Sequence, residues 1–181
     1  MDRAAVRAVA LRVAALALLL LLALVAVLTI RTLQGLPDAT IYLVRSEPTS
    51  FTLTPVARRL GNRDPDAFAA AAVEALVRGP RRDEVEQGLA TAVPAGTRVL
   101  SADLEDGVLT VDLTAEVTSG GGSASMRARL EQLRWTLTRP TSVEALALRV
   151  DGEPLRVLGG EGLMVETPWR RPGPDDELPR W

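Results

Sequence analysis

An uncharged run rich in leucine and alanine, Val13 to Ile30, constrains this chain more than any other feature. Its 18 residues would span about 27 Å as an α-helix, which is close to the thickness of a bilayer's hydrocarbon core. A buried core helix is a poor alternative, because a run without a polar face would need cover on every side. We therefore predict a single transmembrane helix over residues 13–30.

A cleaved signal peptide is the main alternative for this segment, since arginines precede it as in a charged n-region. The apolar run is long for a signal peptide, however, and residues 31–35 contain no A-x-A-like cleavage site. A lipid anchor is excluded, because the sequence has no cysteine to carry the lipid. These points favour an uncleaved anchor.

The arginines that flank the run predict its orientation. Arg3, Arg7 and Arg12 precede it, whereas only Arg31 follows closely. The positive-inside rule therefore places residues 1–12 in the cytoplasm. The expected location is the cell membrane, with a single pass and the folded domain on the extracytoplasmic side.

Missing residue types narrow the chemistry. The sequence has no histidine, no cysteine and no lysine, so it lacks the usual general base, the thiolate nucleophile and the soft metal ligands. A hydrolase that uses two carboxylates stays open, because 23 acidic residues are present. Aromatic residues make up only 3% of the chain, and sugar-binding clefts usually depend on them. We predict no enzyme activity, no catalytic residues, no cofactor and no metal site.

The net charge of −2 argues against nucleic acid as a partner. The richest arginine stretch, residues 58–82, holds six arginines, and six acidic residues balance them when the window extends to Glu86. A solvated, ion-paired face is the simpler interpretation, and docking onto an anionic polymer or a partner protein is the alternative. The candidate interaction surface consists of five arginines, which are Arg58, Arg59, Arg78, Arg81 and Arg82.

The sequence after the anchor divides into a linker over residues 31–39, one folded domain over residues 40–167 and a tail over residues 168–181. The linker contains Gly35 and Pro37. The tail has several prolines, charged clusters and no apolar period, so we predict that it is disordered.

Local patterns within the domain predict alternating strands and helices. Thr40 to Arg45 and Phe51 to Arg59 are β-rich runs, and a capped helix begins at Asp64-Pro65 and stops at Gly79-Pro80. Asp106-Gly107 marks a tight hairpin. A second helix carries an apolar stripe, and two further strands flank Asp151-Gly152. The predicted fold class is α+β, with two helices packed on one face of a mostly antiparallel sheet.

In their order and spacing these segments resemble the GerMN domain family of sporulation and spore germination proteins. The resemblance covers about Thr40 to Leu158 and rests on the segments Thr40–Val44, Phe51–Arg59, Glu74–Pro80, Leu89–Thr97, Asp106–Leu113, Gly121–Ser123, Gln132–Thr138 and Val143–Gly152. Members of this family are non-catalytic envelope modules, similar in fold to ring-building motifs. The chain departs from them in having a helical anchor instead of a lipid-modified cysteine.

The resemblance implies an interaction or assembly module whose partners are bacterial envelope proteins or further copies of itself. A sensor for cell-wall fragments or lipids is the alternative. Such a sensor needs a concave apolar pocket, for which Trp135, Tyr42 and Phe68 are candidate side chains. Each of these residue types is also common in a core.

Overall fold

A computed structural model describes residues 12, 15–29, 36–47, 50–61, 64–158, 163–165, 167–173 and 175–181. The chain divides into two compact units, Met1–Leu36 and Pro37–Trp181. In the first unit, residues 15–29 form helix α1. Among the described residues, no helix is long and apolar enough to cross a membrane. Residues 1–11, Val13, Ala14 and residues 30–35 lie outside the described residues, so both ends of the predicted anchor and most of the predicted linker do too.

The second unit begins with an antiparallel pair, β1 (Ala39–Ser46) and β2 (Phe51–Arg58), whose register runs from Ala39 opposite Arg58 to Ser46 opposite Phe51. Strand β3 (Leu89–Ala90) pairs with the other edge of β1 and completes a three-stranded sheet in the order β2-β1-β3. Both predicted strands are confirmed, each within one residue at either end.

Helices α2 (Pro65–Arg78) and α3 (Arg82–Glu86) lie between β2 and β3. The Asp64 carboxylate caps α2 by accepting the Asp66 N–H, and Gly79 ends the helix with a φ of 75°. Only glycine adopts such a φ without strain, so the Gly-Pro stop signal was a valid prediction.

A second, mixed sheet contains β4 (Val99–Glu105), β5 (Val108–Leu113), β6 (Ala145–Val150), β7 (Glu153–Pro154) and, further along the chain, a two-residue strand described below. The hairpin between β4 and β5 turns at Asp106 and Gly107, whose positive φ values confirm the predicted tight turn. Asp151 and Gly152 turn β6 into β7 in the same way.

Strands β5 and β6 run parallel, so the chain must cross over between them. A 3₁₀ turn (Ala115–Thr118) and helix α4 (Ser123–Leu137) form this crossover. The apolar stripe predicted for the second helix is buried in the main core, together with side chains from α2, β1, β5 and β6. It consists of Met126, Leu130, Leu133 and Leu137. A short ribbon, β8 (Val157–Leu158) and β9 (Leu163–Met164), follows.

Two predictions need correction. The strands form two larger sheets and the two-stranded β8–β9 ribbon instead of one sheet. Helix α4 lies where a further neighbour of β1 would be, since the Thr136 hydroxyl accepts the Tyr42 N–H at 3.1 Å. The tail is also paired, not disordered as predicted, where it is described. Strand β10 (Trp169–Arg170) pairs with β6, and Phe51 and Trp181 exchange two backbone hydrogen bonds. The composition of the tail indicates disorder, but backbone pairing and the packing of Trp181 hold it against the domain.

Candidate interaction surface

Arg58, the first of the five candidate arginines, ends β2 and is buried, with 7% of its surface exposed. Its guanidinium forms two parallel hydrogen bonds to the Glu84 carboxylate in α3, both 2.6 Å long. A planar guanidinium and a carboxylate fit each other in this two-point geometry. Arg58 therefore joins β2 to α3, and its charge is compensated inside the protein.

Glu84 has a second partner, because its Oε2 also accepts the Arg81 N–H at 2.7 Å. The hydrogen bonds from Arg58 lower the pKa of Glu84, while burial opposes this shift less strongly. Glu84 thus stays ionised at neutral pH and fixes the start of α3 beside the end of β2. This fixed junction positions the remaining arginines.

A depression of about 270 Å³ lies at this junction, between β2 and the end of α2. Four of the five predicted arginines line it, namely Arg58, Arg59, Arg78 and Arg81. Arg82 is not among its lining residues and instead pairs with Glu86, one helical turn away, at 3.5 Å. The structure therefore brings together four of the five residues that the sequence grouped.

The four arginines differ in how far their charge is compensated. Arg78 is exposed and pairs with exposed Glu74 at 3.1 Å. Arg59 and Arg81 are exposed, and neither forms an ion pair with any described residue. Of the arginines that line the depression, Arg59 and Arg81 are thus the two whose charge is not held in an ion pair with a described residue.

The backbone that follows Arg59 is held by Asp38. The carboxylate of Asp38 accepts the Leu60 N–H at 2.7 Å and the Gly61 N–H at 2.9 Å. The hydrogen bond from Leu60 is the main reason that the pKa of Asp38 is lowered, and the nearby charge of Arg59 adds a smaller effect. These contacts fix the backbone from which the Arg59 side chain extends.

The three aromatic residues suggested for a ligand pocket do not converge. Tyr42 and Trp135 lie in a buried aromatic and aliphatic cluster, with ring centroids 5.4 Å apart. Phe68 belongs to the main core and reaches a separate depression of about 550 Å³, beside Asp38 and Arg139. Core packing therefore accounts for Tyr42 and Trp135, whereas Phe68 also borders an open cavity.

A stripe of buried polar residues on α4 went unpredicted. Arg129, Gln132 and Thr136 are almost fully buried and lie at helical spacing beside the apolar stripe. The Gln132 side chain accepts the Ala92 N–H at 2.8 Å, and Thr136 accepts the Tyr42 N–H as described above. Their spacing of three and four residues is the sequence signal that could have identified this stripe.

Arg129 is the largest member of that stripe. Its guanidinium donates to the carbonyls of Ala92, Val117 and Gly120 at 2.8, 2.5 and 3.1 Å. Burial lowers the pKa of Arg129, because the charged form loses its solvation. Arginine nevertheless keeps its proton at neutral pH. Within the part of the chain that the structure describes, no group of three acidic side chains could hold a metal ion.

Comparison with known proteins identifies the domain. The family model described as "Germane: Sporulation and spore germination" matches residues 40–156. The tandem GerMN domains of the sporulation protein GerM from Bacillus subtilis are 25% identical with a TM-score of 0.59, and the match covers 74% of this chain. It covers only 44% of that tandem chain, so this protein spans less than half of it.

Two further solved structures share the fold. The first GerMN domain of the same Bacillus subtilis protein is 21% identical with a TM-score of 0.59, and the match covers 74% of this chain and 96% of that one. A putative lipoprotein from Clostridium perfringens is 21% identical with a TM-score of 0.52, covering 76% and 89%. Among curated proteins none matches. On the family match over residues 40–156, the chain belongs to the Germane family, the GerMN domains of sporulation and spore germination proteins.

Proposed function

We propose that this protein is a non-catalytic interaction module of the bacterial cell envelope, anchored to the membrane by its N-terminal segment and involved in sporulation or germination. The observation that carries the proposal is the arginine-lined depression, in which Arg59 and Arg81 are exposed and have no ion-pair partner among the described residues. Membership of a sporulation and germination family supports the process.

The exposure of α1 supports a membrane anchor. Leu19, Leu20, Leu21 and Leu22 expose between 56% and 64% of their surface. Consecutive helical residues are about 100° apart, so four in a row cover the whole circumference. A helix that is apolar and exposed on every side is suited to lipid rather than water. With arginines concentrated on its N-terminal side, the helix would hold the domain outside the cytoplasm.

The depression would bind an acidic face of a partner protein. Arginine forms two-point hydrogen bonds with carboxylates, and exposed charges of this kind accelerate association. Arg58 and Glu84 would act indirectly, by holding the backbone beneath Arg59 and Arg81. The protein would then act by binding a complementary surface and not by catalysis. Such a role does not need the histidine, cysteine and lysine side chains that the sequence lacks.

The experiment is affinity capture of the full-length protein from crosslinked membranes of its host. The test variant carries Arg59→Glu and Arg81→Glu together. The matched control carries Arg98→Glu and Arg156→Glu, two exposed arginines outside the depression. A chain that ends at Gly35 controls for capture through the anchor alone.

We expect a defined partner with the wild type and the matched control, and its loss with the test variant and the anchor-only chain. Equal capture by both double variants would show that the depression is not the contact surface. Recovery of the protein in the soluble fraction, without membranes, would refute the anchor.

The second candidate function is a sensor for cell-wall fragments or lipids. The depression beside Phe68 supports it, because a volume of about 550 Å³ lies within the range of small-molecule pockets and its lining combines Phe68 with Asp38 and Arg139. A thermal-shift screen with muropeptides and lipids tests this alternative. A ligand-induced shift that Arg139→Ala abolishes would support the sensor, and no shift with any ligand would refute it.

A further inference from the structure

Residues 175–181, which we call the strap, contact the rest of the domain through backbone pairing with β2 at their C-terminal end. Residues 175–178 and Arg180 are exposed, whereas Pro179 and Trp181 are partly buried. Phe51 donates its N–H to the Trp181 carbonyl at 2.7 Å, and Trp181 donates to the Phe51 carbonyl at 3.1 Å. The strap therefore adds a very short antiparallel strand to the outer edge of β2.

Trp181 packs where most of the aromatic residues of the chain lie, and we call this site the aromatic seat. Its side chain packs against the cluster that contains Tyr42 and Trp135, and Phe51 packs there too. These four residues are two-thirds of the six aromatic residues in the sequence. Such a seat recognises an extended backbone together with one large aromatic side chain.

The edge of β2 limits how long a docked strand can be. Residues alternate along a strand, so Pro55 faces the same outer side as Phe51. Proline has no N–H to donate, and its presence on an edge interrupts regular pairing. The edge is thus suited to a contact of two or three residues, which is the length that the strap provides.

The contact in the single chain is also weakly held. The indole N–H groups of Trp135 and Trp181 are buried and have no hydrogen-bond partner among the described residues. Buried donors without partners oppose the packing around them. The exposed residues 175–178 add little packing of their own, so the strap can release its end without disturbing the sheets.

We propose that the outer edge of β2 and its aromatic seat form an exchange site, which binds the strap of a second copy of this chain. A second copy is the occupant that the structure favours, because it carries the Arg180–Trp181 segment already seen to fit. The residues from Gly173 to Arg180 can extend by about 23 Å, which provides reach toward a neighbour. The site is separate from the arginine-lined depression, since the two lie at opposite ends of β2.

Engineered cysteines test the exchange directly, because the chain has none of its own. Thr52 and Arg180 face each other across the bridge as a pair that shares no hydrogen bonds. In antiparallel strands such pairs have Cα atoms about 4.5 Å apart, which permits a disulfide. Full-length Thr52→Cys and Arg180→Cys chains with different tags would be mixed in the same vesicles and oxidised with oxidised glutathione.

We expect a mixed disulfide dimer on a non-reducing gel. Adding Trp181→Ala to the Arg180→Cys chain should lower its yield by about tenfold, because the buried indole contact is lost. The control pair of Thr52→Cys with Arg156→Cys should give no dimer. The Thr52→Cys/Arg180→Cys double variant should close a disulfide within one chain, which verifies the geometry independently of exchange.

Two results would overturn the proposal. The first is a double variant that closes within one chain while the mixture gives no dimer, because the strap would then be a permanent part of its own domain. The second is that the Thr52→Cys chain forms a disulfide with a synthetic peptide of residues 171–181 that carries cysteine at position 180, while the mixture of the two chains gives no dimer. The site would then accept a free strand but not a second copy. Neither result depends on Arg59 or Arg81, so the proposed function is tested separately.

Discussion

Arg58 and Arg129 are the two arginines that the described part of the chain buries, and they are stabilised in different ways. Arg58 is neutralised by the carboxylate of Glu84, whereas Arg129 donates to three backbone carbonyls. No carboxylate among the described residues forms an ion pair with Arg129. One site is an ion pair and the other is a cation held by dipoles.

This difference separates two structural roles. The Arg58–Glu84 pair joins β2 to α3 and depends on the ionisation of one carboxyl group. Arg129 instead joins α4 to the loop before β4, at Ala92, and to the 3₁₀ turn and the loop before α4, at Val117 and Gly120. Removing Arg129 takes the donor from three backbone carbonyls, of which that of Val117 is buried. The Arg58–Glu84 ion pair, in contrast, can be replaced as a unit by two apolar residues.

The largest effect is expected from Arg129→Met. Three charge-assisted hydrogen bonds are lost and the buried Val117 carbonyl loses this donor, so we expect the free energy of unfolding to fall by about 4 kcal/mol. Urea unfolding followed by tryptophan fluorescence measures the change. Arg127→Met, an exposed neighbour on α4, should change stability by less than about 0.5 kcal/mol. Equal losses for the two variants would contradict the role given to Arg129.

The next largest effect concerns the ion pair. Glu84→Gln leaves the buried Arg58 charge without a carboxylate, and we expect a loss of about 3 kcal/mol at neutral pH. The double variant Arg58→Met/Glu84→Leu should recover most of that loss, because neither buried charge remains. Failure of this recovery, measured in a double-mutant cycle, would mean that the pair's hydrogen bonds are as irreplaceable as those of Arg129.

The same contrast explains what the sequence could and could not predict. The strands, the α2 boundaries and the hairpin at Asp106-Gly107 follow from local rules, since a cap, a stop or a turn involves only neighbouring residues. Four of the five grouped arginines, Arg58, Arg59, Arg78 and Arg81, line one depression because they flank one helix. Local signals therefore located the helices, strands and turns, whereas the interaction surface stays a prediction.

What remained hidden depends on distant partners. Arg58 was grouped with exposed arginines, because nothing in the sequence shows that Glu84 lies within 2.6 Å of it. The division into two sheets depends on Thr136 of α4 satisfying the backbone of β1, a contact between residues 94 positions apart. The tail was predicted to be disordered because its composition hides the pairing of Trp181 with Phe51.

The pH dependence sharpens the comparison. The pKa of Glu84 is lowered from its ordinary value of 4.5, so its contribution to stability is complete above that value and lost as the pH falls through the folded-state pKa. The loss caused by Glu84→Gln should therefore shrink as the pH falls below 4.5 and through the folded-state pKa. The loss caused by Arg129→Met should stay constant, because arginine remains protonated throughout. Unfolding free energies at several pH values test both expectations.

The smallest effect is expected where arginines and carboxylates meet in solvent. Arg78 and Glu74 pair at 3.1 Å, but about 70% of each side chain is exposed, at 69% and 73%. Water and salt screen such a pair, so the coupling energy in a cycle of Arg78→Ala and Glu74→Ala should be about 0.5 kcal/mol or less. It should fall further when salt is added. A coupling energy comparable to that of Arg58 and Glu84 would mean that Arg78 stays paired with Glu74 on its own helix. A weak coupling would instead allow the Arg78 guanidinium to leave Glu74 and bind a carboxylate of a partner protein.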